Sequence, residues 1–101
     1  MPEEAADLAK LYGMLREATQ GKGNFRLGTI TRREADAIGR AWVGEGYTMA
    51  SDRQTLVSLD RLRQYRPPSY KPRLRRYQAN LEQRQPGQTQ WSFNAHIDIE
   101  D

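Results

Sequence analysis

From Trp91 to Ile99 the chain alternates without interruption, with Trp91, Phe93, Ala95, Ile97 and Ile99 on one side and Ser92, Asn94, His96 and Asp98 on the other. A period of two with one apolar side predicts a strand that faces a core on one side only, so the chain must build a sheet that is covered once. Tyr77, Ala79 and Leu81 alternate with Gln78, Asn80 and Glu82 in the same way, which predicts an antiparallel partner. Keeping both apolar sets on one face requires paired positions that sum to an even number, because a one-residue slip turns every side chain over. A three-residue loop at Gln85-Pro86-Gly87 then sets Arg76 opposite His96, and a five-residue loop sets Gln78 there instead.

The cover for the apolar face must come from the N-terminal half. Leu8, Leu11, Tyr12, Leu15 and Ala18 recur at helical spacing after Pro2, predicting a helix over residues 3–20 that stops at Gly21. Gly21–Gly28 holds three glycines and no period, and reads as a loop. Thr31 with Glu34 forms a capping-box pattern, and Ala35, Ile38 and Trp42 mark the buried face of a second helix over 31–44. Tyr47–Ala50 and Thr55–Leu59 read as short strands about a turn, while three prolines within Arg66–Pro72 predict an irregular, stiff connector. The expectation is one α+β domain over 1–101, with N-terminal helices packed on one face of an antiparallel sheet that fills 46–101.

The composition excludes several chemistries. There is no cysteine and only one histidine, so a disulfide scaffold, a thiol nucleophile, a thiolate metal site and a paired-histidine zinc site are ruled out. No metal or cofactor is expected, and Asp98, Glu100 and Asp101 read as a charged end. No apolar run is long enough to span a membrane, and no signal peptide is apparent.

Charge is the second informative feature. The net charge is +3 overall, yet residues 61–84 hold eight basic residues against Glu82 alone, a local +7. The remainder carries eight basic and twelve acidic residues, or −4. Seven of the eight charges in the basic segment are arginines, whose planar fork suits phosphate. A polyanion is the expected partner.

Within that segment, Arg66, Lys71, Arg73, Arg75 and Arg76 could meet phosphates, and Tyr65, Tyr70 and Tyr77 could stack on bases. Ser69, Gln78, Asn80 and Asn94 supply hydrogen-bonding groups beside them. His96 is the one side chain whose ordinary pKa lies near neutrality, so it is the natural proton-transfer group. Metal-free RNA cleavage needs a base for the 2′-hydroxyl, an acid for the 5′-oxygen and cations for the phosphorane charge. Lys71, Arg66 or Arg76 could supply the cations; Glu82, a tyrosine hydroxyl or no second group could complete the proton transfer. The alternatives are a non-catalytic RNA- or ribosome-binding module on the same surface, and an interaction domain that docks an acidic protein.

A family resemblance sharpens these expectations. The segments Gly23-Asn24-Phe25, Ala41–Tyr47, Leu62–Pro72 (with Arg66-Pro67-Pro68-Ser69-Tyr70-Lys71-Pro72), Gln78–Arg84, and Trp91 with Asn94–Ile99 resemble the polymorphic toxin type 17 domain. That domain is a C-terminal module of contact-dependent inhibition and Rhs-type bacterial toxins. Ala95 stands where the family pattern has glycine. The resemblance implies a ribonuclease of the barnase–EndoU–colicin–RelE structural group, with tRNA the expected substrate and an acidic cognate immunity protein as partner. It implies a monomer when free, carried at the end of a larger secreted or cell-surface protein and acting in a target-cell cytoplasm. Arg66, Ser69, Lys71, Gln78, Asn80, Asn94 and His96 take the positions of the family's motif residues.

Overall fold

The structure is a computed structural model that describes residues 3–20 and 23–101. It is an α+β fold in which two helices pack against a six-stranded mixed sheet. The elements are α1 (Glu3–Gln20), β1 (Gly23–Ile30), α2 (Arg32–Val43), β2 (Thr48–Met49), β3 (Leu56–Val57), β4 (Arg63–Lys71), β5 (Arg76–Gln83) and β6 (Phe93–Ile99). The sheet order is β1-β6-β5-β4-β3-β2, parallel at β1/β6 and antiparallel elsewhere. Among the described residues, no helix is long and apolar enough to cross a membrane.

Both helices fall where the periodicity puts them. Thr31 Oγ1 accepts from the Glu34 N–H at 3.1 Å while the Thr31 N–H donates to Glu34 Oε1 at 3.0 Å, closing the capping box. Gly44 ends α2 at φ 73°, its N–H donating to the Arg40 carbonyl at 2.9 Å. Ala35, Ile38, Trp42 and Val43 of α2 and Leu11, Met14 and Ala18 of α1 are buried against Ile30, Tyr65, Ala79, Leu81, Phe93, Ala95, Ile97 and Ile99 of the sheet. Burying side chains such as Ile38 or Leu81 stabilises the fold by roughly 1.5–3 kcal/mol each. Trp42 stacks on Phe93, and its indole N–H donates to the Glu82 carbonyl at 3.1 Å, which leaves no buried donor unpaired on that ring. Tyr12, expected in the buried stripe, is 62% exposed, and Met14 takes the inward position. The Leu8 side chain and Gly21, the expected stop, lie outside the described residues.

Four sequence expectations are corrected. The segment read as a glycine loop contains strand β1, which pairs in parallel with β6 and turns the expected antiparallel sheet into a mixed one. Its inward residues Phe25 and Leu27 are partly buried, and a bulge between Arg26 and Gly28, with Gly28 at φ 140°, breaks the simple alternation that would have revealed the strand. The proline-rich stretch Arg66–Lys71 is strand rather than irregular connector. β3 pairs only with Gln64 and Tyr65, so beyond Tyr65 one edge of β4 is open, and the prolines fall in a bulge between Arg66 and Ser69 where their missing N–H groups cost no ladder bond.

The register of β5 with β6 differs from both expected values: Asn80 faces His96, Gln78 faces Asp98 and Glu82 faces Asn94. The parity argument holds, so the apolar and polar faces are as expected, but the connection after Gln83 runs to Phe93 instead of forming a short turn. Trp91 therefore precedes the strand and packs under the Arg84 guanidinium, 4.2 Å from the ring centroid. The strands expected at Tyr47–Ala50 and Thr55–Leu59 shrink to two residues each.

A candidate nucleic-acid interface around His96

The face of the sheet opposite the helices gathers the polar halves of four strands. Register places Arg26 of β1 beside His96 of β6, His96 beside Asn80 of β5, and Asn80 beside Arg66 of β4. From His96 to Arg66 this row crosses the floor of a groove of about 680 Å³ lined by Arg66, Lys71, Gln78, Asn80 and His96, with Pro72, Arg73 and Leu74 of the β4–β5 turn as one wall. The turn is tight, with Leu74 and Arg75 both donating backbone N–H groups to the Lys71 carbonyl. It holds the cationic wall against the floor.

His96 is half-buried, and its Nδ1 lies 3.1 Å from Asn80 Nδ2, which is also 2.9 Å from Asn94 Oδ1. Asn80 is 1% exposed and fixed by these contacts, so it orients the imidazole. Nε2 has no hydrogen-bond partner among the described residues. A half-turn of both amides keeps every heavy-atom contact and reverses its polarity: Asn94 Nδ2 then donates to Asn80 Oδ1, which also accepts a hydrogen bond from Nδ1–H of His96. In the first arrangement Nε2 carries the hydrogen; in the second it presents a lone pair. Burial lowers the His96 pKa from the ordinary histidine value, and repulsion from Lys71 and Arg66 lowers it further, against an opposing pull from Glu82 and Asp98. Both effects favour the neutral form of the ring.

Two buried carboxylates fix the surrounding guanidiniums. Glu82 Oε1 accepts from Gln64 Nε2 at 2.8 Å and lies 2.7 Å from Arg66 Nε, whose N–H is angled away from the oxygen, so that contact is coulombic. Asp98 Oδ1 accepts from Gln78 Nε2 at 2.7 Å, and its Oδ2 binds Arg76 at 2.9 Å and Arg26. Burial pushes the Asp98 pKa up, but the hydrogen bonds from Gln78 and Arg26, the Arg26 charge and the bond from Arg76 outweigh it and hold the carboxyl below its ordinary value. The polar face of the strands is therefore a hydrogen-bonded layer, with Gln78, Asn80, Glu82 and Asp98 all buried. Asp98, expected to be part of a charged end, is a core member of that layer.

The expected site residues divide into three groups. His96, Lys71, Arg66, Arg73, Gln78 and Asn80 meet at the groove, and Asn94 and Arg76 join through hydrogen bonds to the layer beneath it. Ser69 is exposed on β4 opposite Gln78, and Arg75 is exposed at the tip of the turn with φ 54°. The tyrosines do not belong to the groove. Tyr65 is 1% exposed in the core, donates its hydroxyl to Asp36 Oδ1 at 2.9 Å, and has its pKa raised by burial and that bond, which excludes it from base stacking and proton transfer. Tyr70 and Tyr77 are paired edge to face on the helix side of the sheet, with Arg32 of α2 4.5 Å from the Tyr77 centroid.

Sequence reasoning missed Arg26 because it sits in the glycine-rich stretch. It undervalued Asp98, although strict alternation already placed that residue on the same face as His96. Among the described residues no three His, Cys, Asp or Glu side chains cluster as a metal site would require. Comparison with known protein families, with curated proteins and with solved structures finds no match.

Proposed function

We propose that this domain is a metal-independent endoribonuclease. The observation that carries the reading is an imidazole on the floor of an open groove, lined also by Arg66 and Lys71 and oriented by a buried amide. In the half-turned amide arrangement, Nε2 of His96 takes the proton of an RNA 2′-hydroxyl. The 2′-oxygen attacks the adjacent phosphorus, the bond to the 5′-oxygen breaks, and the leaving oxygen takes a proton from solvent, to which the groove is open. The products are a 2′,3′-cyclic phosphate and a 5′-hydroxyl, and the imidazolium returns its proton to water. Arg66 and Lys71 stabilise the charge that builds on the phosphorane oxygens, where fixed cations act most strongly. Arg73 holds the strand at the groove wall, while Asn80 and Asn94 position the His96 imidazole.

The sequence-based expectation of a polymorphic toxin type 17 domain would extend this reading to a toxin that attacks tRNA in a competing cell and is restrained by an acidic immunity protein. The test is incubation of the domain with total RNA in EDTA beside a His96→Ala variant. Scission by the parent and a loss of about 10² to 10⁴ in the variant is the expected result, the usual range for a general base. Intact RNA with the parent chain refutes catalysis. Salt-sensitive retention of that intact RNA would favour a non-catalytic RNA-binding module instead.

A further inference from the structure

We infer that Arg26 and Arg76, bridged by Asp98, form a binding subsite for the phosphate that adjoins the scissile one in a single-stranded RNA. The inference rests on the ribonuclease reading and extends it from one phosphate to two. Asp98 is 4% exposed, and one oxygen of its carboxylate takes a guanidinium N–H from each arginine. The arginine side chains themselves are 64% and 45% exposed, so each has donors left over for a ligand. They come from opposite sides of β6, Arg26 from β1 and Arg76 from β5, and converge on one point of the polar face. Gln78 occupies the other carboxylate oxygen, so the carboxylate cannot turn away from the pair. Two guanidiniums and one carboxylate leave a net +1, which matches one phosphodiester.

Position gives the subsite its meaning. Asp98 lies two residues from His96 along β6 on the same face, a rise of about 7 Å. That is the order of the step between neighbouring phosphates in an RNA strand. A strand whose scissile phosphate lies between His96, Arg66 and Lys71 therefore brings its next phosphate to the arginine pair. The strand direction then follows β6 across the sheet, with β1 contributing one half of the subsite. A parallel edge strand closing the sheet here has a functional consequence: it carries the second guanidinium.

The experiment measures binding of a short single-stranded 2′-O-methyl oligoribonucleotide, which cannot be cleaved through its 2′ position, by fluorescence anisotropy over a range of salt concentrations. Each phosphate neutralised on a single strand contributes about 0.7 to the slope of log K against log salt. Because the pair carries one net charge, Arg26→Gln and Arg76→Gln should each lower the slope by about 0.7. Each single variant leaves Asp98 one guanidinium and Gln78, which protects the fold, and matched circular-dichroism melts verify it. Arg33→Gln, an exposed arginine on α2, is the control and should leave the slope unchanged. An unchanged slope in folded Arg26→Gln and Arg76→Gln overturns the subsite while leaving the ribonuclease reading intact. Failure of the parent chain to bind the oligonucleotide at all overturns both. The expected slope loss in both variants without cleavage of ordinary RNA overturns catalysis, and with it the scissile assignment, and leaves the arginine pair as a phosphate-binding site.

Discussion

Gly39 packs α2 onto the sheet closely enough that one added methyl group should be felt by the whole domain. A Cβ at that position would lie 2.4 Å from Cδ2 and Cγ of Tyr65 and 2.6 Å from Cδ1, about 1 Å or more inside the carbon–carbon contact distance of about 3.5–4.0 Å. The ring cannot slide away freely, because Tyr65 is 1% exposed and its hydroxyl is held by Asp36 of the same helix. Gly39→Ala gains about 1 kcal/mol of helix propensity. It loses roughly 1–3 kcal/mol to overpacking and about 1 kcal/mol more if the helix lifts far enough to break the tyrosine hydrogen bond. The expected net loss is up to about 2–3 kcal/mol, or a fall in Tm of roughly 10 °C for a chain of this length. Gly13→Ala provides the control, since no atom lies within 4 Å of its Cβ in the interior of α1. It should show the propensity gain alone. Urea denaturation of the three proteins reads both effects. Should Gly39→Ala prove as stable as Gly13→Ala, the packing of α2 on β4 described above is wrong.

Asn80→Asp replaces the amide that faces Nδ1 with an acceptor that cannot reverse its polarity, so Nδ1–H becomes fixed and the His96 pKa rises. The acid limb of the pH–rate profile and the imidazole titration midpoint should both move to higher pH, with the ¹⁵N shifts reporting the Nδ1–H tautomer; an unmoved midpoint would deny Asn80 its role as a positioning residue. The folded-state pKa of Asp98 is held below its ordinary value of 3.8, so its contribution to stability is present above that value and disappears as pH falls through the folded pKa. The lowered His96 pKa makes the parent lose some stability as pH falls below 6.5, so the Asp98 share is read as the difference in Tm between the parent and Asp98→Asn, which should hold steady from pH 7 to about 5 and shrink below about 4. Asp98→Asn should cost about 2 kcal/mol at pH 7, since its arginine partners are half-exposed, and its melting curve should converge with the parent's in acid. Thr31→Ala removes the capping-box acceptor at the start of α2 and should cost about 1 kcal/mol in the same denaturation assay.

Much of this architecture was legible in the residues. The 3.6-residue stripes and the Thr31–Glu34 cap located both helices, and the alternation in β5 and β6 put His96, Asn80 and Gln78 on one face and Ala79, Leu81 and Ile97 on the other. Pairing register was not legible, because parity narrows it to even sums but the long connection after Gln83 leaves the choice to tertiary packing. β1 was hidden because an edge strand can carry glycines and a bulge that blur its period, and its parallel pairing is decided by a partner almost seventy residues away. The tyrosines misled for a related reason. Their interleaving with arginines suggested one surface, yet the bulge at Pro67-Pro68 and the strand period send Tyr65, Tyr70 and Tyr77 to the helix side, away from Arg66 and Lys71. Of the site, the basic segment and His96 were visible in sequence. The buried carboxylates that fix its cations became visible only once four strands lay side by side.

The central claim is that a neutral His96 removes a proton in the groove, and a paired measurement tests it most directly. The single-turnover rate of RNA cleavage in EDTA is followed against pH while the His96 ring is titrated by NMR under the same conditions. The account predicts a rate that falls on the acid side with the same midpoint as the imidazole, below the ordinary histidine value of 6.5, and no such limb in His96→Ala. A rate that stays level while His96 takes up its proton, or that survives the alanine substitution undiminished, contradicts it.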